Sequence, residues 1–240
     1  MRLKSGLRKV PGFRIAKFFL NLVRGVESRN AALLLLRPPK GLYQPWGTTS
    51  DDRYPQIFKN VRGQIGDSPQ MRILSFGCST GEEVFSLRRY FPQATIVGFD
   101  INRHNIAVCR RRQRMLGDDR MVFAIARSTA VQPDASFDAI FAMAVFRQGS
   151  LNSVPPPPQC NPILNFADFE QSVTELARAL KPLGLLIIRN AMFRFADTQV
   201  AGAFETVFSL KDDPPGPLYG RDNRILPGND YPDTVFRKCN

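Results

Sequence analysis

Short apolar runs recur along the middle of the chain, and amphipathic stretches separate them. Ile73, Leu74 and Phe76 make the first run and Thr95-Ile96-Val97-Gly98-Phe99 the second; residues 121–126, 137–145 and 185–188 make the third, fourth and fifth. Runs of this length bounded by Gly, Pro and Asp predict buried strands. Segments with helical spacing lie at about residues 56–65, from Glu82 onward, and at residues 102–115. Phe169, Val173, Leu176 and Leu180 recur at i, i+4, i+7 and i+11, so they share one helix face, which ends at Lys181-Pro182-Leu183-Gly184. Residues 197–208 are expected to form a last helix running into a strand, and residues 234–237 a closing strand. Residues 41–52, 149–162 and 212–233 read as loops, the second stiffened by Pro155, Pro156, Pro157 and Pro158.

The chemistry concentrates where the first strand ends. Gly77 and Gly81 bracket a tight turn before the helix that starts at Glu82. A glycine-rich turn between strand and helix lets a ligand approach the backbone. Nineteen residues past Gly81, the second strand ends in Asp100, a carboxylate at the spacing that holds the two hydroxyls of a ribose. A dinucleotide site would use G-x-G-x-x-G and seat pyrophosphate on the helix N-terminus. Here the pattern is Gly77-x-Ser79-x-Gly81, followed by Glu82 and Glu83. Two like charges about 5 Å apart repel by roughly 3 kcal/mol at an effective dielectric constant near 20. These acids therefore oppose a phosphate ligand and favour S-adenosylmethionine, which carries an ammonium and a sulfonium.

The stretch Ile73-Leu74-Ser75-Phe76-Gly77-Cys78-Ser79-Thr80-Gly81-Glu82-Glu83 resembles the first motif of class I S-adenosylmethionine-dependent methyltransferases. Its Ser-Thr-Gly-Glu-Glu core is most similar to chemotaxis-receptor (CheR-type) methyltransferases. Gly98-Phe99-Asp100-Ile101-Asn102 resembles the second motif, Ser136-Phe137-Asp138-Ala139-Ile140-Phe141 the fourth strand, and Leu180-Lys181-Pro182-Leu183-Gly184 with the four residues after it the turn and fifth strand. The resemblance covers roughly residues 70–190. It implies a Rossmann-like α/β fold with a mostly parallel seven-stranded sheet and helices on both faces, and S-adenosylmethionine as cofactor. It places Gly77, Cys78, Ser79, Thr80, Gly81 and Glu82 around the methionine portion, with Glu82 on the ammonium. Asp100, Ile101 and Asn102 fall at the ribose, Arg127 and Ser128 near adenine, and Met143 and Ala144 beside the methionine half. Ala126-Arg127-Ser128 departs from the Asp that many members use for adenine, and Ala144 stands where CheR-type enzymes have Asn. Asp138 is expected to be structural.

The acceptor is less legible. Tyr54, Trp46, Phe146, Asn190, Tyr219 and Arg221 are candidates for its pocket, although large aromatics such as Tyr54 and Trp46 more often serve plain packing; Asp222 is a further substrate-side residue. The proline loop is expected to shape the entrance. His104, the only histidine, falls near the adenosine end, and no catalytic base is assigned. In-line methyl transfer requires alignment and desolvation more than a base, because the sulfonium is already a good leaving group. An active enzyme on a small-molecule or lipid-linked acceptor, a CheR-like protein carboxyl methyltransferase and a non-catalytic S-adenosylmethionine-binding scaffold all fit the motifs.

Charge divides the chain into residues 1–40 and a methyltransferase domain, residues 41–240. The first forty residues carry ten Lys or Arg and one acid, so +9 of the net charge of +12 sits there. Between residues 13 and 26, Arg14, Lys17, Asn21 and Arg24 form a narrow polar stripe on an otherwise apolar helix. Such a helix either packs on the domain as a lid, lies on an anionic membrane, or meets an acidic partner or nucleic acid. The Arg110-Arg111-Arg112 cluster reads as a solvated helix face. The four cysteines form no C-x-x-C pair, which argues against a metal and for a reduced cytoplasmic setting. No signal peptide or membrane span is expected from the sequence.

Overall fold

The computed structural model describes residues 29, 42–44, 49–161, 163–211, 216–228 and 230–240. The basic arm, apart from Arg29, and Trp46 lie outside the described residues. The chain alternates strand and helix: α1 (Pro55–Ile65), β1 (Arg72–Phe76), α2 (Glu82–Tyr90), β2 (Thr95–Asp100), α3 (Arg103–Leu116), β3 (Met121–Ile125), β4 (Phe137–Met143), α4 (Phe166–Ala179), β5 (Leu180–Arg189), β6 (Phe204–Ser209) and β7 (Asp233–Lys238). The seven strands form one sheet in the order β3-β2-β1-β4-β5-β7-β6. The neighbours from β3 through to β5 run parallel, and β7 is antiparallel to both β5 and β6. This is the Rossmann-like α/β architecture expected. Among the described residues no helix is long and apolar enough to cross a membrane.

Both faces of the central strands β1, β2 and β4 are covered, which is why these strands are largely apolar, whereas the edge strand β6 is partly exposed. Successive strand residues point to opposite faces. Ile73 packs with Ile57 and Phe58 of α1, Val84 of α2 and Ile106 of α3. Leu74 and Phe76 face the other way, with Phe169, Val173 and Leu176 of α4. An aromatic cluster fills that second core. Phe169 lies 5.0 Å from the Phe146 ring and 5.4 Å from the Phe193 ring.

Two expectations need correction. Residues 197–208 do not make a helix: two short 3-10 turns, Phe195–Asp197 and Gln199–Ala203, lead straight into β6. Thr198 is extended, with φ −84° and ψ 155°, and breaks the run, while pairing of β6 with β7 takes the residues that follow. The Lys181-to-Gly184 turn is present, but as a bulge within β5: Phe137 pairs with Leu180 and Ala139 with Leu185. A Cβ on Gly184 would stand 2.9 Å from the Lys181 carbonyl and 3.0 Å from that of Asp138. Asp138 has a structural part here, accepting from the Arg72 N–H at 2.8 Å and from Lys181 Nζ at 2.8 Å.

Phe169→Ala is expected to lower the unfolding free energy by about 3–5 kcal/mol, measured as a drop in the urea midpoint at unchanged slope.

Candidate functional site

The turn after β1 is fastened to the end of β2. The N–H groups of Gly77 and Cys78 both donate to the Phe99 carbonyl at 2.8 Å. The Ser79 N–H donates to Asp100 Oδ2 at 2.8 Å. Gly77 has φ 76° and Gly81 φ 95°, with Ser79 between them at φ 51°. That path needs glycine for two reasons: the left-handed backbone, and space. A Cβ on Gly77 would meet Val145 Cγ2 at 2.6 Å.

A cavity opens at the C-terminal ends of β1, β2 and β4, where ligands bind in parallel open sheets. Gly77, Cys78, Ser79, Asp100, Ile101, Asn102, Arg127, Met143 and Ala144 line it, so most of the sequence-predicted cofactor residues come together there. Tyr54 joins them from the segment before α1. Asp100 is buried, and its carboxylate also accepts from the Asn102 N–H at 2.7 Å and Asn105 Nδ2 at 3.3 Å. Burial pushes its pKa up, and those donors, with Ser79, oppose the shift.

The second carboxylate is Glu83, not Glu82. Adjacent helical residues point about 100° apart, so only one of the pair faces the cavity. Glu82 turns toward α3, where its carboxylate pairs with Arg112 Nη1 at 3.0 Å and accepts from Thr80 Oγ1 at 2.7 Å. Glu83 lines the cavity and accepts from Ser75 Oγ at 2.7 Å. Burial raises its pKa from 4.5 to about 7, against the opposing pull of the Ser75 hydroxyl and the Arg53 charge. The motif read as a unit pointed to Glu82, whereas the structure places Glu83 in the cavity lining. The signal was Ser75, a hydroxyl on β1 that faces the helix.

The remaining candidates divide. Thr80, Gly81 and Ser128 support the turns without lining the cavity, and Ser128 Oγ accepts from the Ala130 N–H at 3.2 Å. His104 is absent from the lining, its N–H donating to the Asn102 cap at 2.9 Å. Asn190 lines a second cavity beside the first. Phe146 and Tyr219 line neither; both are fully buried. Phe146 packs edge-on against Tyr43 at 5.0 Å, and Tyr219 donates to the Pro157 carbonyl at 3.2 Å. Arg221 lies 6.0 Å from the Phe166 ring, outside both linings. Sequence reasoning missed Gln44 and Arg53 among the lining residues. Gln44 Nε2 reaches the Ala144 carbonyl at 2.9 Å from across the crevice, a contact that no local pattern announces. Among the described residues no cluster of His, Cys, Asp and Glu could hold a metal ion.

A family model described as a methyltransferase domain matches residues 67–213, more than half of the chain. A demethylmenaquinone methyltransferase of Thermus thermophilus is 31% identical over 118 residues, 49% of this chain and 46% of its own length. A fatty-acid O-methyltransferase of Mycolicibacterium smegmatis is 29% identical over 160 residues, 66% of this chain and 50% of its own. The chain thus spans about half the length of these relatives. Among solved structures, geranyl diphosphate C-methyltransferase from Streptomyces coelicolor aligns over 58% of this chain and 45% of its own, at 15% identity and TM-score 0.42.

Between pH 4.5 and about 7 the native chain keeps a proton on Glu83 that the unfolded chain has released. Stability from this group therefore falls as pH rises through that window. Thermal midpoints are expected to fall across it relative to those of Glu83→Gln. Ser75→Ala should carry the fall to higher pH, because it removes a donor to the charged form.

Proposed function

The chain belongs to the methyltransferase-domain family, whose model matches residues 67–213, and on that premise we propose that it transfers the methyl group of S-adenosylmethionine to a small-molecule or lipid-linked acceptor. One observation carries the reading: Glu83 and Asp100, two carboxylates, face a single cavity beside a glycine turn. Glu83 holds the cofactor's ammonium. Asp100 receives the ribose hydroxyls on a carboxylate already fixed by three donors. The Gly77–Ser79 turn follows the methionine portion, Arg127 lies beside the adenine, and Met143 and Ala144 flank the reacting end.

The cofactor, when bound, supplies an activated methyl. The protein's part is alignment and exclusion of water. Tyr54 and Gln44 cover the crevice from the N-terminal side, and Gln44 is bonded across to Ala144. The names of the two relatives, a quinone and a fatty-acid methyltransferase, support a small-molecule or lipid-linked acceptor. The positive charge of residues 1–40 suits a lipid-linked acceptor presented at an anionic surface. A CheR-like protein acceptor finds no support in those relatives, and Ala144 offers no side-chain amide.

Purified protein incubated with methyl-labelled S-adenosylmethionine and cell extract should place label in the lipid or small-molecule fraction. Glu83→Gln should reduce that label at subsaturating cofactor. Label confined to protein would overturn the acceptor class, and cofactor binding without any transfer would support a scaffold instead.

A further inference from the structure

Beside the cofactor crevice lies a second cavity of about 760 Å³, within the range of about 300–1,000 Å³ typical of small-molecule sites. The two share Arg53. Leu218, Ile225 and Leu226 give the second cavity an apolar wall. That wall is held in place by backbone pairing: Tyr219 bridges to Ile225, and the Ile225 N–H donates to the Pro158 carbonyl at 3.0 Å. The charged groups among its described lining residues are Arg53 and Arg147, with no carboxylate among them. Arg147 follows the Ala144-Val145 end of the cofactor crevice by two residues. Its guanidinium donates to the side-chain oxygen of Asn190 at the exit of β5, and Asn190 lines the same cavity. A guanidinium oriented by a neutral amide presents a planar fork that matches carboxylate or phosphate oxygens in pairs. Arg53 lines both cavities and lies in the field of Glu83, whereas Arg147 lines the second cavity alone, so the discrimination is assigned to Arg147.

We propose that this second cavity binds the methyl acceptor, and that the acceptor is an amphiphile with an oxyanion, carboxylate or phosphate, held at Arg147 and an apolar body against the Leu218, Ile225 and Leu226 wall. The inference rests on the methyltransferase reading for the identity of the neighbouring ligand, and adds the charge and polarity of the acceptor to it.

The test is calorimetric titration of the full chain, first with S-adenosylhomocysteine and then, in its presence, with octanoate, octyl phosphate, octanol and octyltrimethylammonium. At least one of the two anions should bind tenfold or more tightly than octanol, and the cation most weakly. The tighter anion identifies the head group. Arg147→Met should weaken anion binding at least tenfold while leaving the affinities for octanol and S-adenosylhomocysteine unchanged, and Arg147→Lys should retain part of the preference. Equal binding of octanol and both anions, or anion affinity unchanged in Arg147→Met, would overturn the proposal. Should Arg147→Met lose S-adenosylhomocysteine binding through misfolding, Arg147→Lys and the salt dependence of the wild-type preference decide; a preference unchanged by both would overturn it. Failure of S-adenosylhomocysteine to bind the wild-type chain would refute the cofactor reading instead, and the four-probe comparison on the unliganded chain would still decide the cavity.

Discussion

Two carboxylates converge on one cavity, and that convergence limits what the crevice can hold. An ionised carboxylate surrounded by protein is costly unless it is hydrogen-bonded or faces a cation. Asp100 meets the first condition through Ser79, Asn102 and Asn105. Glu83 meets it only partly, through Ser75, and its pKa rises to about 7 as a result. A ligand that brings a positive charge to Glu83 relieves this cost; one that brings phosphate adds to it. At Glu83 the crevice thus favours a cationic ligand group, although Arg53 and Arg127 line it as well.

The scaffold supplies the convergence. Parallel β1, β2 and β4 all end at the same edge of the sheet, so their loops meet there. The left-handed Gly77 and Gly81 set the direction of the turn and the phase of α2, which decides that Glu83 and not Glu82 points inward. Arg112 then holds Glu82 on the outer side, its guanidinium 4.0 Å above the Phe85 ring. At the other end of the crevice, the exits of β4 and β5 bring Arg147 to Asn190 and open the second cavity. Cofactor and proposed acceptor sites are therefore adjacent because the central strands are.

Much of this was legible in the sequence, for physical reasons. A sheet covered on both faces writes its strands as short apolar runs, and the distance from Gly81 to Asp100 is the length of one helix and one strand. The glycine turn was legible because left-handed backbone and close packing leave few other residues possible. What escaped depended on direction or on distant chain. Glu82 and Glu83 are equivalent as letters and differ only in helix phase. Phe146 and Tyr219 sit next to strand ends and loops that could have aimed them at a ligand, yet both are drawn into the aromatic core. Residues 197–208 carry apolar spacing compatible with a helix, but a partner strand nearly thirty residues away in sequence decides their form. Arg53, Gln44 and Arg147 belong to loops with no motif of their own, so only the folded chain brings them to the cavities.

The charge of the crevice is tested most directly by one titration. The full chain is titrated calorimetrically with S-adenosylmethionine and with NAD⁺ at pH 5.5 and at pH 7.5, below the α-amino pKa of roughly 7.7–8.0. S-adenosylmethionine should bind at one site, with affinity rising by about an order of magnitude over this interval as Glu83 gives up its proton. NAD⁺ should not bind, and Glu83→Gln should abolish the rise. Binding of NAD⁺ in the crevice, or an affinity for S-adenosylmethionine that is the same at both pH values, would contradict the account.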